Sequence, residues 1–390
     1  MPTMGNGATT VYSSMRLNWL VTWISSAISI GLFLTAAPHA STQPRLEPGV
    51  WTRISPPSVV MTEQNHVFCQ GMAIDPIHPS TIYLCICAYD VAFGGLYKTV
   101  DAGATWRKIG HLDEPIHLVI DPHNSKHLCC VDGVRGNTLG FWVSQDSGET
   151  WTQPAGYQQA SEKPVGTRDL YSIAADPANF KHLLVSYHSP WSSLQLNCGV
   201  LETIDGGESW VAHNPPADAA RGYGMAVFFL SDPAHRVGDS STWLFTTQSS
   251  GFFRTSDSGA SWQKVYDKQM THGGCQIYRA TTGALYAGGY QYPVRSTDNG
   301  ASWQQIKTGL VYSWYIGIFG DGKNIYTGTS NGPEPYFFSP EVDGLTWKPC
   351  EHNGKIQKFT AVPFEMAYDA KNNIMYAASW HEGLLALKIP

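Results

Sequence analysis

The chain has 390 residues with 25 Lys and Arg against 31 Asp and Glu, a formal charge of −6 that argues against a nucleic-acid partner. Charged residues make up 14% and aromatic residues 12%, with 14 Trp and 19 Tyr. That balance excludes a disordered chain and points to an aromatic-rich β protein.

In chain order, the first element is an uncharged apolar stretch, LNWLVTWISSAISIGLFLTAA, which follows Arg16 and ends at Ala37. It reads as a secretory signal peptide within residues 1–40, with Met15 as a second candidate start. The same stretch is long enough to remain as an uncleaved anchor. Either way residues 41–390 are expected to be secreted or periplasmic, and to meet a membrane only through that segment. The eight cysteines are an even number in an exported chain, so disulfides are allowed. Most lie in apolar runs such as TIYLCICAY and KHLCCV, which favours buried reduced thiols. No CxxC or Cys/His zinc spacing occurs, and neither metal nor cofactor is expected.

Trp51 opens the next segment, Gly49-Val-Trp51-Thr-Arg-Ile. Downstream of it one octapeptide, Ser/Thr-x-Asp-x-Gly-x-Thr/Ser-Trp, recurs at 99–106, 144–151, 203–210, 255–262 and 296–303. A degenerate sixth copy runs from Ser339 through Asp343 and Gly344 to Trp347. Each position suits a tight hairpin. The Asp accepts turn N–H groups, the Gly takes a positive φ, and the Trp begins a strand with a large surface to bury. Trp51, Trp106, Trp151, Trp210, Trp262, Trp303 and Trp347 are spaced 41 to 59 residues apart, the period of one four-stranded propeller blade. The residues after Trp347 supply three strands without a Trp strand. The expected fold is therefore all-β, a seven-bladed propeller whose ring is closed by the N-terminal strand at Trp51.

Each blade also repeats an inner-strand signature, seen in GMAIDP, HLVIDP, SIAADP and AVFFLSDP. Counting four strands outward from the axis puts the octapeptides on turns between third and outer strands, with the first-to-second turns on the same face. Their aspartates are expected to be structural. The opposite face carries the loops from which side chains converge on the channel mouth. Its candidates are His66, His117, Arg168, Asp169, Tyr171, Arg221, Tyr223, His272, Trp314 and Glu365 at the starts of inner strands. Asp90, Arg135, Tyr187, His188, Trp191, Tyr292, Trp380 and His381 follow second strands. Aromatic platforms with Arg and His suit a hydroxyl-rich or anionic ligand such as a sugar.

The octapeptide resembles the Asp-box, or BNR repeat. The chain resembles the propellers that carry it: sialidases, xyloglucan-active glycoside hydrolases, sortilin and photosystem II assembly factors. The sialidases are six-bladed and carry Arg-Ile-Pro, whereas this chain has Arg53-Ile54-Ser55-Pro56 on a Trp strand. The segment Ile82-Tyr83, Asp90 and Gly94-Gly95-Leu96-Tyr97 is similar to the one in which xyloglucanases hold a catalytic aspartate just before Gly-Gly. That resemblance implies a glycoside hydrolase acting on a poly- or oligosaccharide, with Asp90 catalytic. Xyloglucanases take their second carboxylate from a second propeller; here Glu365 and Asp169 are the acids expected near the mouth. Resemblance to seven-bladed polysaccharide lyases implies instead an Arg168 or Arg221 clamp on a uronate. His66, His117 or His188 would then be the base, and Tyr171 or Tyr223 the acid. The non-enzymatic alternative is a scaffold that binds a glycan or a protein segment.

Overall fold

The computed structural model describes residues 44–390 except 60–66, 89, 91, 134–135, 189–197, 216–223, 232–239, 271–275, 331 and 360. All of these belong to the unit Ser41–Pro390. Within it seven antiparallel four-stranded blades form a β-propeller. The innermost strands are Val67–Ile74, Pro115–Asp121, Leu170–Asp176, Gly224–Phe229, Ile277–Arg279, Tyr315–Gly320 and Pro363–Asp369, for blades 1 to 7 in that order. They are followed outward by second strands such as Ile82–Ala88, buried throughout, and Asn124–Asp132, buried over its last five residues, because each is sandwiched between neighbouring blades. Glycine lets the inner layers approach. A Cβ at Gly71 would stand 2.2 Å from the Ile116 carbonyl oxygen, and one at Gly133 would stand 2.1 Å from that of Leu170.

The seventh blade is completed from the N-terminal side. Trp51–Arg53 pairs antiparallel with Gly383–Lys388, Trp51 opposite Leu387 and Arg53 opposite Leu385. Blade 2 departs from the regular pattern. Its outer strand shrinks to a bridge between Val143 and Thr152, because Pro154 lacks an N–H and leads into the short helix Ala155–Ala160. Trp151 stays buried even so, its indole donating to the Gly148 carbonyl at 3.0 Å.

The five intact octapeptides are hairpins between third and outer strands with one repeated geometry. In the copy around Asp146, Ser144 Oγ donates to Oδ1 at 2.9 Å, the Thr150 amide donates to Oδ1 at 2.9 Å and its hydroxyl to Oδ2 at 2.6 Å. Ser147 and Gly148 both take positive φ, 64° and 86°. These bonds hold Asp146, Asp205 and Asp257 at about 2, below the ordinary carboxylate value. The inner-strand aspartates act similarly on the same face, as Asp75 does by accepting the Ile77 and His78 amides at 2.8 and 3.0 Å. The seven described cysteines are free thiols, six of them buried; Cys275 lies outside the described residues.

Candidate functional site

Six of the seven innermost strands carry a register shift near their mouth end. Residues skipped by the pairing include Gln70, Ile116, Tyr171, Met225, Ile316 and Phe364. A bulge re-aims a side chain. Ile116, Tyr171 and Met225 gather with Phe68 and Cys87 in one buried cluster, Ile316 and Phe364 with Val362 in another, and Trp380 packs against both. Trp380 meets Phe68 edge-on at 5.1 Å and Phe364 at 4.8 Å, and stacks with His381 at 5.6 Å. The axis is therefore plugged by apolar side chains near the mouth.

Against the plug lies a chamber of about 150 Å³ whose wall joins Ile116, Tyr171 and Phe364 of those clusters to Gln70, His117, Ser172, Gln276 and Glu365. His117 Nε2 is 3.2 Å from Glu365 Oε1, and Glu365 Oε2 accepts the Met72 amide at 2.8 Å. Burial would depress the imidazole, but the adjoining carboxylate outweighs it and raises the His117 pKa above its ordinary value. Gln276 Oε1 accepts the Ile318 and Met366 amides at 3.3 and 3.0 Å, and its Nε2 donates to the Met366 carbonyl at 2.6 Å. These side chains satisfy inner-strand edges that no further strand covers.

The remaining candidates divide by exposure. His188 is buried, with Nδ1 3.1 Å from Asp169 Oδ2 and its ring stacked at 4.5 Å on Tyr171. Tyr187 is also buried, its hydroxyl donating to Asn214 at 2.8 Å, which makes it a packing residue of blade 3. Arg168 is half-exposed, 4.0 Å from Glu162. Asp90 is exposed in a turn where Oδ1 accepts the Ala92 amide at 3.0 Å. Tyr292 meets Tyr312 at 5.9 Å and Trp314 meets Tyr290 at 5.6 Å. Tyr312 and Trp314 remain 62% and 40% exposed, which leaves an open aromatic surface across blades 5 and 6. His66, Arg135, Trp191, Arg221, Tyr223 and His272 lie outside the described residues.

One group escapes the sequence reading. Glu114 and Asp132 are fully buried, and Asp132 Oδ2 accepts the Glu114 amide at 3.1 Å and the Thr138 hydroxyl at 2.9 Å. That hydroxyl also lies 2.5 Å from Asp113 Oδ1. Burial pushes the Asp132 carboxyl well above the usual range. Glu114 accepts the Ala88 amide at 3.0 Å, two residues before Asp90, and a Cβ at Gly94 would stand 2.1 Å from the Asp113 carbonyl oxygen. The acids thus adjoin the Asp90 to Gly95 segment. Asp113-Glu114 directly before an inner strand was the signal that could have found them.

The architecture defines the class, a seven-bladed β-propeller of four-stranded antiparallel blades. No protein-family model matches the chain. Over 195 residues, 45% of this chain, it is 24% identical to the "Probable oligoxyloglucan-reducing end-specific xyloglucanase" of Neosartorya fischeri. The chain spans about a fifth of the length of that curated relative, the match covering 22% of it. YCF48 from Cyanidioschyzon merolae superposes with a TM-score of 0.60 at 11% identity, covering 87% of this chain and 98% of that one. The extracellular domain of BT4673 from B. thetaiotaomicron superposes at 0.58 with 12% identity, covering 87% and 44%. The last two are likenesses of fold.

Proposed function

We propose that this is an exported carbohydrate-active propeller that holds a poly- or oligosaccharide across the mouth face and acts as a glycoside hydrolase. The observation that carries the reading is the open aromatic surface of Tyr290, Tyr292, Tyr312 and Trp314. Large rings placed in pairs, Tyr312 and Trp314 exposed and Tyr292 and Tyr290 half-buried against them, offer sugar rings an apolar face at little ordering cost. The partial match to a xyloglucanase supports the same ligand class. In this reading Asp90 is the exposed carboxylate, and the proton-holding acid comes from the Asp113, Glu114 and Asp132 group. Glu365 and Asp169 are less suited, since one is tied to His117 and Met72 in the channel and the other is buried against His188. The lyase alternative draws no support from these relatives.

A second reading, a glycan-binding scaffold without turnover, is favoured by the burial of Glu114 and Asp132, which keeps them from a bound chain. One comparison separates the two. Xyloglucan oligosaccharides are offered to wild type, Asp90→Asn and Trp314→Ala, and both binding and released reducing ends are measured. A hydrolase loses turnover but keeps binding in Asp90→Asn, and loses about tenfold in affinity in Trp314→Ala. Binding with no product in any protein favours the scaffold, and absence of both overturns the carbohydrate reading.

A further inference from the structure

We propose that His117 is a proton-operated switch in the channel wall, which in its neutral form braces the inner strand of blade 3 and on protonation releases it. The inner strands present free edges to the channel. Each N–H that points to the axis needs an acceptor from a side chain or water, because no strand lies beyond it. His117 Nδ1 lies 3.3 Å from the Ile173 amide and 3.4 Å from Ser172 Oγ. A backbone N–H only donates, so Nδ1 is the acceptor and the ring proton sits on Nε2, directed at Glu365 Oε1 3.2 Å away. Glu365 in turn accepts the Met72 amide. One hydrogen-bonded chain, Met72 to Glu365 to His117 to Ile173, thereby joins the inner strands of blades 1, 7, 2 and 3.

A second proton enters at Nδ1 and turns that acceptor into a donor. Nδ1–H and the Ile173 N–H then oppose each other, and the Ser172 hydroxyl is the acceptor within reach. At the other end Nε2–H and Glu365 become an ion pair. The fold gains from that pair while the Ile173 amide loses its partner. The strand so loosened, Leu170–Asp176, carries Tyr171 of the apolar plug and begins beside Asp169, the partner of His188. Protonation in the channel is thereby transmitted to the mouth.

The pair is also the boundary of the channel. His117 and Glu365 line the 150 Å³ chamber and a second space of about 420 Å³ on the opposite side, next to Pro76, Pro122 and Pro177. Other titratable groups around it are engaged or neutral. On blade 3, Asp176 is held by His182 at 3.0 Å, and on blade 2, Asp121 is 3.3 Å from His127. On blade 7, Asp369 accepts from Asn372, and on blade 1 burial raises the thiols of Cys69 and Cys85. The Glu365 carboxylate, outweighing burial, raises the His117 pKa, so the switch operates above the ordinary imidazole range.

The test follows the His117 imidazole by 15N NMR and the Ile173 amide by hydrogen exchange in the full chain between pH 8.5 and 4.5. After correction for intrinsic exchange, protection at Ile173 is expected to fall about tenfold on acidification, with the midpoint of the His117 titration. Glu365→Gln is expected to lower that midpoint by about one pH unit or more, since it removes the charge that favours the cation. Ser172→Ala removes the alternative acceptor and lowers it as well, and this reading decides the matter should Glu365→Gln fail to fold. His182→Gln leaves the midpoint in place. Constant protection at Ile173, a midpoint unmoved in both folded variants, or a response abolished by His182→Gln overturns the proposal.

Discussion

Trp51→Ala tests the closure of the ring. The indole is 5% exposed, meets Tyr336 edge-on at 4.9 Å, and lies in the cluster of Met366, Met375, Leu385 and Leu387. Its strand adds backbone bonds on both sides, from Gly49 N–H to Lys388 and from Ile54 N–H to Leu384, both 2.9 Å. Truncating a buried Trp costs about 3 to 5 kcal/mol through lost transfer energy and the cavity left behind. At about 2.1 cal/mol/K per residue, roughly 350 folded residues give an unfolding entropy of about 0.7 kcal/mol/K, so the melting temperature should drop by about 4 to 7 °C. Differential scanning calorimetry reads this directly. Removing residues 41–56 goes further, because Gly383–Lys388 becomes an unpaired edge, and size-exclusion chromatography should show oligomers or aggregate. A truncated chain that stayed monomeric and melted where the full chain does would refute the closure argument.

Three further outcomes are expected. Asp146→Ala should lower stability by about 1 to 2 kcal/mol in urea unfolding, through lost bonds to Thr150 and Ser144, with glycan affinity unchanged. Blade 3 carries a rung of one titratable residue per strand: Asp176, His182, Glu202 and His213, joined at 3.0, 2.9 and 2.8 Å. Despite the cost of burial, His182 and His213 hold Glu202 at about 2, so its contribution is present above about pH 4.5 and is lost as pH falls through about 2. His182 is raised against burial by Glu202 and Asp176, so its contribution is full below about pH 6.5 and is lost as pH rises through its folded value. Glu202→Gln should therefore cost about 1 to 3 kcal/mol near pH 5.5 and flatten the stability profile above pH 6.5, which unfolding curves at several pH values would check. Tyr187→Phe should cost about 1 kcal/mol by freeing Asn214, and isothermal titration should find ligand binding intact.

The blades were legible because their punctuation is local. The Asp146 turn needs a carboxylate, two positive φ values and a tryptophan within eight residues, and each requirement leaves a mark in the chain. Closure at Trp51 was legible by counting, since three strands follow Trp347 and a fourth was lacking. Blade 2 was not, because a single Pro154 decides between a fourth strand and a helix, and the Trp151 repeat before it is intact.

The mouth was harder for a physical reason. Strand alternation predicts which side chains face a channel only while the register is regular, and six inner strands shift register just where the candidates lie. Tyr171, expected at the mouth, packs in the apolar plug and also lines the 150 Å³ chamber; Glu365, one residue past its own bulge, faces His117 and the Met72 amide. Asp132 ends a second strand with no motif to mark it, and it is buried beneath Thr138 and the Glu114 amide. Tyr312 and Trp314 precede the blade 6 inner strand and are free of its bulge, and there the aromatic reading and the exposed surface coincide. Side chains within the inner strands are re-aimed by the bulges, whereas Tyr312 and Trp314 stand before the first paired residue, Tyr315. On that ground the aromatic surface of blades 5 and 6, more than any single acid, is where a sugar should first be sought.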